Sequence, residues 1–279
     1  MHKISQTVWF ARWALRLGNN LLRRSPIIDL LPPFIARSRR YFYDRRLGHF
    51  RRLRVRNLLS DYWAYDQSIV CANFDYRRFP QFSVLQARYD RIVREGRVPL
   101  IIDCGANIGM SAYWFATQFP AARVLAVEPD SANAEMARAN NEAFPQVQVL
   151  QAAVAPVDCK VTLLNTDKGA DAFRTEMSAD GSIDAYSIVS LARIAKLEVR
   201  DLFIVKVDIE GFEDVLFESD TDWIAAAELV IVEPHDWMIS GKAKANNMLR
   251  ALSRTPRDFL INGEHVLSFR LPDGAADRA

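Results

Sequence analysis

One stretch of the sequence decides the fold: residues 98–109, which read VPLIIDCGANIG. Residues 98–104 form an apolar run in which Asp103 is the one charged residue. Such a run is typical of a strand buried on both faces. Gly105 and Gly109 then predict a tight turn, because glycine tolerates backbone angles that other residues avoid. A helix pattern follows from residue 108 to residue 118. The stretch therefore predicts a strand, a turn and a helix in direct succession.

The same alternation of strands and helices continues along the chain. It predicts an α/β fold of Rossmann-like type with a mostly parallel central sheet. Near the end, Asn262-Gly263 separates two short apolar runs and predicts an antiparallel C-terminal hairpin. A helix is predicted at 131–144, with Ser131 as its N-cap. The other predicted strands are 123–127, 147–154, 160–165, 185–189, 202–207 and 228–232.

Composition excludes several classes of protein. Apolar residues make up 50% and charged residues 25% of the chain, which is ordinary for a globular protein. Three cysteines far apart give no disulfide framework and fit a reducing compartment. No stretch reaches the roughly 18 apolar residues of a membrane span, and Arg12 and Arg16 interrupt any secretory signal. We therefore expect a cytoplasmic protein.

Positive charge is concentrated at the start of the chain. Residues 1–57 hold fourteen Lys or Arg against two Asp, whereas the remaining residues hold 22 basic and 32 acidic groups. We predict a basic helical N-terminal arm at 1–57 and one domain at 58–279. Within the arm, the pattern of residues 8–22 predicts a basic amphipathic helix. This helix either packs on its own domain or a second subunit, or lies on the inner face of a membrane. Its apolar positions are Trp9, Trp13, Leu17 and Leu21.

Ligands of open α/β sheets bind beyond the carboxyl ends of the strands, so the residues at those ends are candidates for a site. Asp103 ends the first strand and can accept a hydrogen bond from an ammonium group. The helix after Gly109 begins with unpaired N–H groups, which suit a carboxylate. These features favour an amino-acid zwitterion over a pyrophosphate as the ligand.

Two further strand ends extend this candidate cofactor site. Glu128 follows the second strand, nineteen residues after Gly109, where an acidic side chain can accept hydrogen bonds from ribose hydroxyls. Ala152 and Ala153 lie near the end of the third strand, and their small side chains would let an adenine ring lie flat. The acid and the first turn together are a stronger signal than either one alone.

The fourth strand ends in charged residues. Lys206 lies within an apolar run, which predicts a carboxylate partner because an unpaired buried ammonium is costly. Asp208 and Glu210 follow it and should face the same cleft as Asp103. His235, after the last parallel strand, has an ordinary pKa near neutrality and is a candidate general base.

Three blocks of the chain resemble the FkbM family of methyltransferases, which have the class I S-adenosylmethionine-dependent fold. The third block is the most specific and follows the family's pattern Lys-x-Asp-x-Glu-Gly-x-Glu. One departure is Ala192, where the family usually has Asp. The blocks are Ile102–Gly109 with Ser111, Val127–Asp130 with Asn133, and Leu202–Glu213.

The resemblance implies S-adenosylmethionine as cofactor and a hydroxyl of a sugar, glycan or secondary metabolite as methyl acceptor. Asp208, Glu210 and His235 would line the acceptor cleft. The two carboxylates leave a divalent cation as an option that the sequence does not establish. The residues that would contact the cofactor are Asp103, Gly105, Ala106, Asn107, Gly109, Ser111, Glu128, Pro129 and Ala153.

Two other functions compete with methyl transfer. A nicotinamide-dependent dehydrogenase requires G-x-G-x-x-G, but Asn107 occupies the position of the second glycine. A non-catalytic binding module would use the basic arm to engage an anionic partner. A nucleic-acid acceptor is disfavoured, because Asp208-Ile209-Glu210-Gly211 lacks the Asn/Asp-Pro-Pro-aromatic pattern of such enzymes.

Overall fold

The computed structural model divides the chain into two compact units, Met1–Phe74 and Asp75–Ala279. The predicted boundary between residues 57 and 58 stays a prediction. The residues that the structure describes are 13–15, 17–18, 26–29, 38–56, 58–165, 173–177, 181–236, 241 and 243–271.

The first unit contains a three-stranded antiparallel sheet in the order β1-β2-β3. Residues 13–15 and 17–18 are helical, but the rest of the predicted helix at 8–22 lies outside the described residues. The prediction of a helical arm was wrong for residues 27–29, 39–44 and 49–54, which form strands. Burial there alternates with a period of two along β2, which is the period of a strand. The elements are β1 (Ile27–Asp29), β2 (Arg39–Asp44), β3 (His49–Arg54), α1 (Leu59–Tyr65) and a π-helical turn at Asp66–Val70.

A buried ion pair within this small sheet is contacted by a tyrosine of α1. The Arg40 guanidinium donates to Asp29 Oδ2 at 2.7 Å, and the Tyr65 hydroxyl donates to Asp29 Oδ1 at 3.0 Å. Arg40 also lies 5.1 Å from the centre of the Tyr65 ring. A buried charge needs such compensation, so the three side chains connect the sheet with the helix.

The second unit is built on a seven-stranded sheet in the order β13-β14-β12-β11-β4-β5-β6. The five strands from β12 to β6 are parallel, and the β13–β14 hairpin adds an antiparallel edge. The predicted fold class is confirmed. The strands are β4 (Leu100–Cys104), β5 (Arg123–Val127), β6 (Val147–Leu150), β11 (Leu202–Val207), β12 (Leu229–Val232), β13 (Arg257–Asn262) and β14 (His265–Arg270).

A second sheet, in the order β7-β10-β8-β9, lies in the same unit. Its strands are β7 (Ala153–Val154), β8 (Cys159–Asn165), β9 (Phe173–Met177) and β10 (Ile183–Tyr186). The helices of the unit are α2 (Gln81–Arg94), α3 (Met110–Gln118), α4 (Ser131–Asn141), α5 (Ile188–Ile194), α6 (Glu213–Leu216), α7 (Trp223–Ala226) and α8 (Asn246–Leu252), with a 3-10 turn at Val199–Asp201.

The centre of the large sheet is formed by β4 and β11, which are buried along their whole length. Leu100 and Ile102 of β4 pack in one apolar cluster with Val205 and Val207 of β11. Side chains alternate between the two faces of a strand. Asp103 and Lys206 therefore point to the opposite face, and the register pairs them directly.

The structure differs from the predicted elements at three places. The strand predicted at 147–154 is two strands, because Val147–Leu150 pairs with β5 of the large sheet whereas Ala153–Val154 pairs with β10 of the second sheet. The strand predicted at 185–189 stops at Tyr186, because Ser187 caps α5 by accepting from Ser190 N. The N-cap of α4 is Asp130 rather than Ser131.

Within the residues that the structure describes, no helix is both long enough and apolar enough to cross a bilayer.

Candidate active site

The candidate site lies where the order of the large sheet reverses. From β4 the chain continues to β5 and β6 on one side, whereas β11 and β12 lie on the other. Such a switch point opens a crevice beyond the carboxyl ends of the two central strands. The predicted residues Asp103 and Asp208 lie at these two ends.

A buried ion pair holds the two central strand ends together. Lys206 is 3% exposed, and its Nζ lies 3.1 Å from Asp103 Oδ1 and 3.3 Å from Asp208 Oδ2. Lys206 Nζ also donates to Gly105 O at 3.1 Å. Burial opposes the charge on Lys206, but the two carboxylates outweigh it and raise its pKa. The predicted carboxylate partner of Lys206 is thereby confirmed.

Asp103 is fully buried and both of its oxygens have partners inside the protein. Oδ1 faces Lys206, and Oδ2 accepts from the Ser111 hydroxyl at 2.5 Å. Asp103 thus already holds one ammonium group, that of Lys206. Contacts of Asp103 and Ser111 with a cofactor stay predictions.

The two glycines of the first turn are required by close packing. Gly105 has φ +78°, and a Cβ there would lie 1.7 Å from Asp208 O. Gly109 has φ +82°, and a Cβ would lie 2.6 Å from Asn141 Nδ2. Any side chain at Gly105 would push apart the ends of β4 and β11. Contacts between protein atoms therefore explain both glycines without a ligand.

Glu128, at the end of β5, accepts hydrogen bonds that connect it with the first turn. It is 5% exposed, and it accepts from Asn107 N at 2.8 Å and Asp130 N at 3.0 Å. Burial raises the pKa of Glu128 to about 7, although the hydrogen bonds from Asp130, Asn107 and Asn133 oppose the shift. Asn107 has φ +49°, so this hydrogen bond supports a backbone conformation that is rare outside glycine.

The structure brings most of the predicted cofactor residues together around this turn. Ala106 is buried and Pro129 is half-buried beside Glu128. Ala153 is buried in β7 of the second sheet, one residue after the hydrogen bond from Ala152 N to Glu128 O. Ala153 therefore belongs to a different sheet from the one predicted for it.

A cluster of carboxylates surrounds His235 beyond the ends of β11 and β12. His235 is 3% exposed, and its Nε2 lies 3.7 Å from Glu210, 3.8 Å from Asp208 and 3.9 Å from Glu233. Burial alone would lower the pKa of His235. The hydrogen bond to Glu213 and the charges of Glu213, Asp208 and Glu210 instead raise that pKa to about 9. The imidazole is therefore protonated at neutral pH.

Within the cluster, the pKa values of the two acids that were predicted as catalytic shift in opposite directions. Burial raises the pKa of Glu210 to about 8, and the negative charge of Asp208 adds to the shift. Burial acts on Asp208 in the same direction, but Lys206 and His235 outweigh it and lower its pKa. Environments that push two pKa values apart assign the groups different roles. Glu210 binds a proton near neutral pH, whereas Asp208 stays ionised.

Glu213 holds this cluster in place, a role that the sequence interpretation did not give it. It is 3% exposed, and its Oε1 lies 2.9 Å from His235 Nδ1. The same oxygen accepts from Ile209 N at 3.0 Å and Gly211 N at 3.3 Å. These bonds cross the turn in which Glu210 has φ +55°. Glu213 thus positions both Glu210 and His235.

A metal ion is the alternative explanation for the cluster. Ligand atoms of Asp208, Glu233 and His235 lie within 4.8 Å of one another, a spacing that one divalent cation can bridge. A nitrogen that binds metal must be unprotonated. The divalent cation that the sequence left as an option therefore stays an option, and it would require an unprotonated His235.

Comparison with known families identifies the chain. The profile described as "Methyltransferase FkbM domain" matches residues 103–257, which is more than half of the sequence. The chain belongs to the FkbM methyltransferase family. No curated protein matches it. The predicted resemblance is confirmed, and the family supports methyl transfer as the activity.

Several solved methyltransferase structures are similar to the chain at low identity. A putative caffeoyl-CoA O-methyltransferase from Staphylococcus aureus is 13% identical, with 67% of this chain and 83% of that chain covered and a TM-score of 0.38. A methyltransferase from Geobacter sulfurreducens is 16% identical, with 67% and 90% covered and a TM-score of 0.33. Monomeric WbdD is 13% identical with a TM-score of 0.37, and the match covers 67% of this chain but 39% of that one.

The FkbM domain contains every residue of the His235 cluster. The Lys-x-Asp-x-Glu-Gly-x-Glu pattern supplies Lys206, Asp208, Glu210 and Glu213, and the geometry explains the spacing. Lys206 pairs with Asp208 two residues on, and Glu213 closes the turn that carries Glu210. Only the last Glu of the pattern could have indicated the positioning role of Glu213.

Replacing Glu213 by Gln tests the positioning role. The amide keeps an oxygen that accepts from the backbone, but it removes the charge beside His235. We expect the pKa of His235 to fall by about one pH unit or more, measured by NMR titration of its imidazole. Glu218→Gln changes an exposed acid of the same segment and serves as the control. An unchanged pKa in Glu213→Gln would show that Glu213 does not hold the charge.

The pKa of His235 also predicts how stability depends on pH. Its value of about 9 lies above the ordinary 6.5, so the native state binds this proton more tightly than the unfolded chain. The stabilisation is complete below pH 6.5 and is lost as the pH rises to 9. We expect the free energy of unfolding to fall by on the order of 2 kcal/mol over this range, measured by urea unfolding. His235→Gln should have a smaller slope, and an equal slope would contradict this assignment.

Proposed function

We propose that the chain transfers the methyl group of S-adenosylmethionine to a hydroxyl of a sugar, glycan or secondary metabolite, in the cytoplasm. One observation carries the proposal: the turn held by Glu128 and the proton-binding cluster around His235 meet at the switch point of the sheet. FkbM membership supports methyl transfer, and the cluster supports an acceptor that must lose a proton.

The residues at the switch point fit this cofactor. Glu128 uses backbone N–H groups to fix its carboxylate, and each oxygen keeps a further lone pair for a ribose hydroxyl. The turn from Gly105 through Ala106 to Gly109 would hold the methionine part, and Pro129 and Ala153 would contact the adenine. When bound, the cofactor supplies an electrophilic methyl group on a positively charged sulfur.

Asp103 and Ser111 would contribute to cofactor binding by fixing the turn. Asp103 neutralises Lys206, whose Nζ in turn donates to Gly105 O. A cofactor ammonium group near Asp103 would therefore meet a carboxylate that already has a cation beside it. The carbonyl oxygens and N–H groups of the turn are left as the polar atoms closest to the ligand.

The proton of the acceptor hydroxyl would pass to Glu210. Its side chain is 32% exposed, which is more than that of Asp208, Glu213, Glu233 or His235. Its pKa of about 8 is close to the working pH, where a general base is most effective. His235 would stabilise the ionised form of Glu210, and Asp208, held by Lys206, would orient the acceptor. Methyl transfer mainly requires such positioning in a cleft of suitable charge.

Calorimetric titration with S-adenosylmethionine tests the cofactor assignment. We expect wild-type protein to bind in the micromolar range and Glu128→Ala to bind at least about tenfold more weakly, because two ribose hydrogen bonds are lost. Glu135→Ala removes an exposed acid from α4 and should bind like wild type. Absence of binding by folded wild-type protein would exclude the proposed cofactor.

The base is tested by Glu210→Gln in a methyl-transfer assay against glycans and small hydroxylated metabolites. We expect kcat to fall by about 10²- to 10⁴-fold while cofactor affinity is kept. In wild type, the rate should rise with pH through about 8, the pKa of Glu210. The Glu218→Gln control should retain the wild-type rate. A full rate in Glu210→Gln would exclude Glu210 as the base.

A further inference from the structure

The sheet of the first unit has an outward face, here called the arginine face. Cross-strand neighbours in an antiparallel pair share a face, and the register pairs Arg39 with Arg54, Tyr41 with Arg52 and Tyr43 with Phe50. The arginine face therefore consists of Arg39, Tyr41, Tyr43, Phe50, Arg52 and Arg54.

The arginine face is exposed, in contrast to the opposite face of the same strands. Phe50 is 68% exposed and Tyr41 is 38% exposed, and the three arginines are exposed as well. On the opposite face, Phe42 and Leu53 are buried. The arginine face is thus available to a partner, and it presents two aromatic rings that the core does not use.

The charged residues of the arginine face are all positive. Among its six described residues, three are arginine and none is acidic. Arg39 lies directly across from Arg54, and like charges in that position destabilise a sheet. The face is therefore complementary in charge to an anionic partner.

The aromatic and basic residues lie at opposite ends of the face. Tyr43 and Phe50 pack edge to face with ring centres 5.1 Å apart, next to the turn at residues 45–48. The Arg39–Arg54 pair lies at the far end, and Tyr41–Arg52 lies between them. A platform for stacked bases would instead interleave aromatic rings and arginines along its length.

We propose that the arginine face docks on an anionic phospholipid membrane. Aromatic rings prefer the interface between lipid headgroups and acyl chains, which suits the exposed Phe50 at one end, where the half-buried Tyr43 packs against it. Arginines interact with the phosphates of anionic lipids, which suits the other end. The proposal does not depend on the methyl-transfer activity, because it rests on the first unit alone.

Vesicle flotation of the full chain tests this proposal. Vesicles of phosphatidylcholine with roughly 30% phosphatidylglycerol should bind the protein, whereas pure phosphatidylcholine vesicles should not, because only the former carry negative charge. Binding should weaken as the salt concentration rises from about 0.1 to about 0.5 M, because the Debye length, roughly 10 Å at 0.1 M, becomes shorter. The triple variant Arg39→Gln, Arg52→Gln, Arg54→Gln should partition about 10- to 100-fold more weakly, since each basic residue contributes near the surface.

A matched triple variant of the second unit controls for net charge. Arg94→Gln, Arg138→Gln and Arg250→Gln remove three exposed arginines and should leave binding at the wild-type level. Circular dichroism checks that both variants are folded. If the first triple variant melts early, Arg52→Gln and Phe50→Ser carry the test, each with weaker binding expected.

Three results would overturn the proposal. They are full vesicle binding by the arginine-face variants, an equal loss in the control variant, and tighter binding of a single-stranded oligonucleotide than of the anionic vesicles at the same salt concentration. The last would assign the face to nucleic acid.

Discussion

A buried carboxylate is costly unless a cation compensates it, and the ion pair of Asp103 with Lys206 meets this constraint at the centre of the sheet. The two residues are register partners on neighbouring parallel strands. Their contact therefore aligns the ends of β4 and β11, where the strand order reverses. The same Lys206 reaches Gly105 O and Asp208, so one ammonium group fixes both sides of the crevice.

Two acids extend this arrangement outward from the ion pair. Glu128 ties the turn after β4 to the end of β5, and Glu213 ties the turn after β11 to His235. Each is almost fully buried and accepts backbone N–H groups, so each acts on the backbone as well as through its charge. The turn after β4 and the turn after β11 are thus each held by one buried glutamate.

The sequence predicted the parts of this structure that depend on local patterns. The apolar run before Asp103 and the Asn262-Gly263 pair each involve residues that are close in sequence. They were sufficient to predict the central sheet and its C-terminal hairpin. Ala153 was assigned to the wrong sheet, because its pairing with Ala185 in β10 joins residues that are distant in sequence. In the arm, Arg39 is exposed and Arg40 is buried, and nothing in an arginine-rich sequence distinguishes them. The role of Glu213 depends on a histidine 22 residues later.

One oxygen of Glu213 accepts from two backbone N–H groups and also contacts the His235 imidazole, so it connects the charge of His235 with the conformation of the turn. Loss of the proton from His235 would remove the positive charge that draws this oxygen towards the imidazole. The carboxylate would then be held mainly by the turn at residues 209–211, which carries Glu210. The protonation of His235 and the conformation of the backbone turn that carries Glu210 are therefore coupled through one carboxylate oxygen.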